Sequence, residues 1–196
     1  MLISASIPYE FVDVSGFDES GEDGAGTPRS TLLAVNSLAR VPTVVFRDGT
    51  ILTESAALVL HLSDLRPAAF LGPPPGHMLR PAFLDRLVWL VANVYPTFTR
   101  ADYPHRFSPA SPDEVRDTAR AERRNLWLAW EALLRENEWA LGGRRTALDL
   151  YVAVMANWNP GLGWFEGHCP KLAGIAKRCY LDPVLAPVWS RNFQGR

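Results

Sequence analysis

The sequence predicts a mixed α+β unit followed by an all-helical one, and three observations carry that prediction. Strand and hairpin signals are confined to residues 1–65, prolines and glycines cluster over residues 66–78, and every strong signal across residues 79–196 is helical. With 47% of its 196 residues apolar and 21% charged, the chain can bury a core. A formal net charge of -1 gives no field steering it toward nucleic acid or an anionic membrane, so neither is an expected partner. Cys169 and Cys179 lack metal-ligand spacing, and no charged and apolar leader is evident. The expected setting is therefore a reducing cytoplasm, with no disulfide framework and no metal. The apolar stretch 83–94 is broken by Asp85, Arg86 and Asn93, which argues against a membrane span.

In the first unit, residues 7–14 alternate apolar and polar after Pro8, as a short half-buried strand does. Residues 15–31 are rich in Gly, Ser, Asp and Glu and read as a mobile loop, followed by a short helix over residues 32–38. Residues 41–46 form a second strand opened by Pro42, and Asp48-Gly49 turns it into a third at residues 50–52. Thr53 is a candidate cap for a helix over residues 54–65, where Ala57, Leu58, Leu62 and Leu65 recur at helical spacing.

Past the Pro/Gly stretch, Pro81 opens a helix whose apolar face includes Phe83, Leu87, Val91 and Tyr95, and Pro96 is expected to kink or end it. Ser111-Pro112-Asp113-Glu114 combines a cap, a first-turn proline and a capping-box acid, opening a helix that runs to about Trp139 before Gly142-Gly143. Thr146 and Asp149 cap a helix over residues 150–158 that is apolar nearly all round and so expected to be central. Two short helices follow, one near residues 171–179 and one from Asp182-Pro183 to about Phe193.

The functional signal lies in residues 36–65, in the order Arg40-Val41-Pro42, Asp48-Gly49, Thr53-Glu54-Ser55. A cis bond before Pro42 costs only about 0.5 to 1 kcal/mol over trans and would turn the Val41 N–H and C=O outward, where an extended peptide can pair with them. First-turn amides at Glu54 and Ser55 favour a carboxylate, the Ser55 hydroxyl adds a bond, and the Glu54 side chain meets an ammonium. Taken with the linker and the helical second half, these residues resemble cytosolic, bacterial-type glutathione S-transferases over essentially the whole chain. The resemblance implies an incomplete thioredoxin-like N-terminal domain (residues 1–65), a linker (66–78) and an all-helical glutathione-transferase C-terminal domain (79–196). It also implies glutathione as co-substrate, bound by Arg40, Val41, Pro42, Glu54 and Ser55. A small hydrophobic electrophile is expected near Tyr95, Phe98, Tyr103 and His105, and the assembly is expected to be a homodimer.

One departure bears on chemistry. The family carries a strand and a helix ahead of the strand at residues 7–14, with a Ser, Cys or Tyr that interacts with the glutathione sulfur. Only Met1 to Ser6 precede it here, too few for elements that need on the order of 20 residues. The catalytic hydroxyl or thiol is accordingly expected upstream of Met1. Three readings stay open: a start placed too far downstream, a protein that binds without catalysing, and a substitute strand formed by Met1 to Ser6 and carrying Ser4 or Ser6. The expected activity is conjugation of glutathione to an electrophile; the alternatives are a non-catalytic binding or interaction protein and a glutathione-dependent isomerase, lyase or dehalogenase.

Overall fold

Strand pairing in the first half is limited to one hairpin. A computed structural model of the chain describes residues 1–17, 27–135 and 138–193. Strand β1 (Val44–Val45) pairs antiparallel with β2 (Ile51–Leu52), Val44 opposite Leu52 and Val45 opposite Ile51. The predicted Asp48-Gly49 turn joins them: Gly49 takes φ +87°, and the Asp48 carboxylate accepts the Thr50 N–H at 2.9 Å.

Several expected elements differ. The alternation at residues 7–14 does not become a strand, because a strand exists through its partner and none lies beside it among the described residues; Tyr9, Phe11 and Val12 stay exposed. The Arg191 guanidinium instead lies over the Phe11 ring at 4.2 Å. Nor is there a substitute strand at the start: Ile3–Ala5 is a 3-10 turn lying against the turn Pro67–Ala69, with Ala5 buried in the core. Helix α1 (Pro28–Leu33) begins earlier than its apolar residues suggest, since Thr27 caps it by accepting the Ser30 N–H at 3.1 Å and Pro28 fits its first turn. Most of the Gly-rich loop, including Gly21, Gly24 and Gly26, lies outside the described residues.

The linker is not a loose tether. Leu71, Gly72 and Pro73 are buried, the Leu71 carbonyl accepts the Ala147 N–H at 2.7 Å, and a Cβ on Gly72 would come within 2.5 Å of the buried Phe83 ring. Helix α2 (Ser55–Leu65) sends Val59 and Leu62 into the same continuous core as the helical half.

Helix α3 (Arg80–Trp89) runs through a π-helical segment, Leu90–Val94, into α4 (Tyr95–Asp102). Pro96 neither ends nor breaks it: the Tyr95 N–H reaches back five residues to the Leu90 carbonyl, and the widened turn accommodates the proline ring. Helix α5 (Pro112–Leu133) stops short of Trp139, and Ser111 contributes no side-chain cap. Leu134 turns extended into the core while the Lys171 ammonium takes the Leu134 carbonyl at 2.7 Å. The central helix α6 (Ala147–Ala156) is opened by the expected capping box. Asp149, fully buried, accepts from the Thr146 N–H at 2.6 Å and the Ala140 N–H at 2.8 Å. Helix α7 (Leu162–His168) was not expected; Gly161 at φ +91° starts it where the sequence reads only Gly and Pro punctuation. Helix α8 (Pro170–Leu181) packs on α6, its first amides at Lys171 and Leu172 held at 3.0 Å by the Glu131 carboxylate, and α9 (Ala186–Asn192) closes the fold. Among the described residues, no helix is long and apolar enough to cross a membrane.

Candidate functional site

Antiparallel pairing puts both halves of the candidate site at one end of the hairpin. Because Val44 lies opposite Leu52, the chain entering β1 through residues 40–43 and the chain leaving β2 through residues 53–55 emerge side by side. The Val41–Pro42 peptide is cis, and Arg40, Val41 and Pro42 are exposed.

The entering turn is held by Asn36, whose role was not evident in the sequence. Its side-chain amide donates to the Arg40 carbonyl at 3.0 Å and to the Thr43 hydroxyl at 3.1 Å, while its oxygen accepts the Leu38 N–H at 3.0 Å. The Thr43 hydroxyl donates to the same Arg40 carbonyl at 2.7 Å. Asn36 is buried, so its polar atoms are engaged by the turn that presents Val41.

On the leaving side the cap is Glu54 rather than Thr53. Glu54 is extended, its carbonyl accepts the Leu58 N–H at 3.0 Å, and no side chain caps the helix. The first-turn amides of α2 therefore lack a side-chain acceptor, and the positive end of the helix dipole is left for an anion. Glu54 is exposed and Ser55 half-buried.

Tyr151 of α6 comes up against this turn from the helical half. Its hydroxyl neighbours Ser55 and feels the charge of Glu54 and the Tyr95 hydroxyl, and burial pushes it up to about 12. The available sequence signal was a lone tyrosine in an otherwise aliphatic central helix, two residues beyond the capping Asp149.

Of the residues expected around an acceptor, the structure gathers Tyr95 and Phe98 around Trp158, a residue assigned to packing in the sequence. Tyr95 meets Trp158 edge-on at 6.0 Å, Phe98 meets it at 5.0 Å, and the two smaller rings lie 6.4 Å apart. Burial raises the Tyr95 hydroxyl. Phe98 is nearly buried, with the Arg123 guanidinium 4.0 Å from its ring centre. Tyr103 closes α4 under the Arg106 guanidinium at 4.1 Å, and His105 is exposed in the next turn, Pro104–Arg106. Burial pushes both Cys169 and Cys179 up to about 12, far from a thiolate at neutral pH. No group of three or more His, Cys, Asp or Glu able to hold a metal occurs among the described residues.

A hairpin-and-helix unit joined through a buried linker to a helical bundle is the architecture of glutathione transferases. A sphingomonad glutathione S-transferase complexed with glutathione superposes with a TM-score of 0.73 at 26% identity, covering 95% of this chain and 88% of that one. A glutathione transferase homologue from Sulfitobacter, with bound glutathione, shares the fold at a TM-score of 0.80 and 21% identity, covering 96% and 88% of the two chains. Residues 1–74 match the family of glutathione S-transferase N-terminal domains. Over 192 residues the chain is 41% identical to the uncharacterized GST-like protein YncG of Escherichia coli K12, covering 98% of this chain and 90% of that protein. Glutathione S-transferase GstA of Escherichia coli O157:H7 is 29% identical over 125 residues, which is 64% of this chain and 60% of that protein. The chain belongs to the glutathione S-transferase family.

Proposed function

We propose that the protein is glutathione S-transferase-like, binding glutathione in the groove between the Val41–Pro42 turn and the first turn of α2, with a small apolar electrophile held beside Tyr95, Phe98 and Trp158. Conjugation requires a thiol-activating group that none of these residues supplies. The observation that carries this reading is the emergence of the exposed Val41–Pro42 turn and an uncapped helix N-terminus from the same end of one hairpin. The outward Val41 backbone pairs with the peptide as an added strand does. The free amides of α2 and the Ser55 hydroxyl receive the glutamyl carboxylate, and Glu54 receives its ammonium. Arg40 stands where it attracts the glycine carboxylate. The first unit is residues 1–65, the linker 66–78 and the helical unit 79–196. The working state is a cytoplasmic homodimer, with glutathione as co-substrate.

Isothermal titration with glutathione tests the reading. The unsubstituted protein is expected to bind saturably, and Ser55→Ala and Glu54→Gln each to weaken binding roughly tenfold, the worth of one charge-assisted hydrogen bond. Thiolate absorbance in the same titration separates catalysis from simple binding, since only an enzyme lowers the thiol pKa of bound glutathione. Absence of binding, or unchanged affinity in both variants, rules the site out.

A further inference from the structure

A cavity of about 370 Å³ lies where the linker meets the helical half, apart from the groove described above. The chain between α2 and α3 lines it with Phe70, His77 and Leu79, and the segment ahead of α6 lines it with Leu141, Arg144 and Thr146. That volume falls within the roughly 300 to 1,000 Å³ of small-molecule sites. Gly143 and Arg144 are exposed, so the cavity opens to solvent on their side. None of the described residues that line it is Asp or Glu. Asp149, behind Thr146, has its carboxylate engaged by donors on Thr146 and Ala140 and does not reach the lining.

Two donors are set around one ring. The Arg144 guanidinium lies over Phe70 at 4.1 Å and its Nη2 donates to the Ala68 carbonyl at 3.0 Å, which fixes an exposed side chain and leaves Nε and Nη1 as a fork for an acid. His77 meets the same ring edge-on at 5.9 Å, and its Nδ1 accepts the Leu79 N–H at 3.1 Å. The neutral imidazole therefore carries its hydrogen on Nε2. Phe70 itself is held at φ +51°, a left-handed conformation that bulky residues rarely take. Core packing does not demand it, since Phe70 is only half-buried. Strain of this kind concentrates at ligand sites.

We propose that this cavity binds a small aromatic carboxylate, its ring on Leu79 and Leu141 beside Phe70 and its acid group between Arg144 and the Nε2–H of His77. The apolar walls take the ring, and a planar carboxylate matches the guanidinium fork as a neutral group does not. Linker and helical half each supply one wall and one donor. Occupancy thus ties them together at the joint where the Leu71 carbonyl already accepts the Ala147 N–H. The inference does not rest on the glutathione reading, because the two sites share no residue.

Chemical shifts of the unsubstituted protein, titrated with naphthoate and separately with the uncharged naphthylmethanol, test it. Naphthoate is expected to move the resonances of Phe70, His77, Leu141 and Arg144 along one saturating curve, with a dissociation constant below about 1 mM. The alcohol is expected to bind about tenfold more weakly, as is naphthoate to Arg144→Gln, the worth of one charge-assisted hydrogen bond. Glutathione added beforehand is expected to leave the naphthoate curve unchanged. Absence of saturation at those residues, equal affinity for acid and alcohol, or unchanged naphthoate affinity in a folded Arg144→Gln overturns the inference. So does naphthoate movement confined to Tyr95, Phe98 and Trp158, or abolished by glutathione, since either places the probe in the groove. The acid and alcohol comparison needs no variant, so an Arg144→Gln protein that fails to fold leaves the test decisive.

Discussion

The two halves of the molecule hold themselves together in opposite ways. The helical half closes on α6, whose residues Ala147, Leu148, Val152, Ala153 and Ala156 are fully buried and whose one buried acid is tied down by backbone donors. The first half has a two-residue ladder, leaves Tyr9, Phe11, Val45 and Ile51 exposed, and among its described residues sends the buried Ala5, Val59 and Leu62 into the shared core. Buried apolar surface is concentrated in the helical half, while the proposed glutathione-binding backbone sits on a thin unit shaped by turn hydrogen bonds. On the proposed reading, the geometry that meets the ligand is carried by local polar clamps such as Asn36, with the packed bundle behind it.

The largest expected effect tests the first term of that contrast. Asp149→Ala removes the capping box and strands the buried Thr146 amide and the half-buried Ala140 amide, so urea unfolding is expected to show a loss of about 2 to 4 kcal/mol. A loss below about 1 kcal/mol, the scale of an ordinary exposed cap, would contradict the weight given to α6. A smaller effect is expected at the second term. Asn36→Ala removes two of the three hydrogen bonds joining Asn36, Arg40 and Thr43 and leaves only the Thr43 hydroxyl on the Arg40 carbonyl, so glutathione affinity should fall about tenfold, while global unfolding shifts by no more than about 1 to 2 kcal/mol. Equal damage to both would mean that the turn is part of the core rather than a clamp on it. The smallest effect belongs to the exposed ladder: Ile51→Thr should leave unfolding within about 0.5 kcal/mol, since Ile51 is 41% exposed and threonine suits a strand.

The same contrast explains how far the sequence could be read. Helical elements announced themselves because a buried helix writes its own period and caps: Thr146 and Asp149, or Ser55 to Leu65, are local signals with local causes. The strand expected at residues 7–14 could not be verified that way, since alternation states only a willingness to pair and the partner lies elsewhere in the chain. Ser111 and Thr53 had the chemistry of caps, yet Pro112 and the extended Glu54 set the helix starts without them. Pro96 marked a true irregularity but not its form, because the π-turn depends on the neighbouring helices. At the site, Val41, Pro42, Glu54 and Ser55 were visible as a contiguous pattern, whereas Asn36 and Tyr151 act through contacts that spacing does not encode. Trp158 was visible as a large ring, but its pairing with Tyr95 and Phe98 across some sixty residues was not.

The central claim is that two backbone segments, one ahead of β1 and one behind β2, receive one short thiol peptide together. Backbone amide chemical shifts recorded during a glutathione titration test it most directly. The account predicts that the amides of Val41 and of Glu54, Ser55 and Ala56 move along one saturating curve with a single dissociation constant. Movement of one segment without the other, or of neither at saturating glutathione, would contradict it.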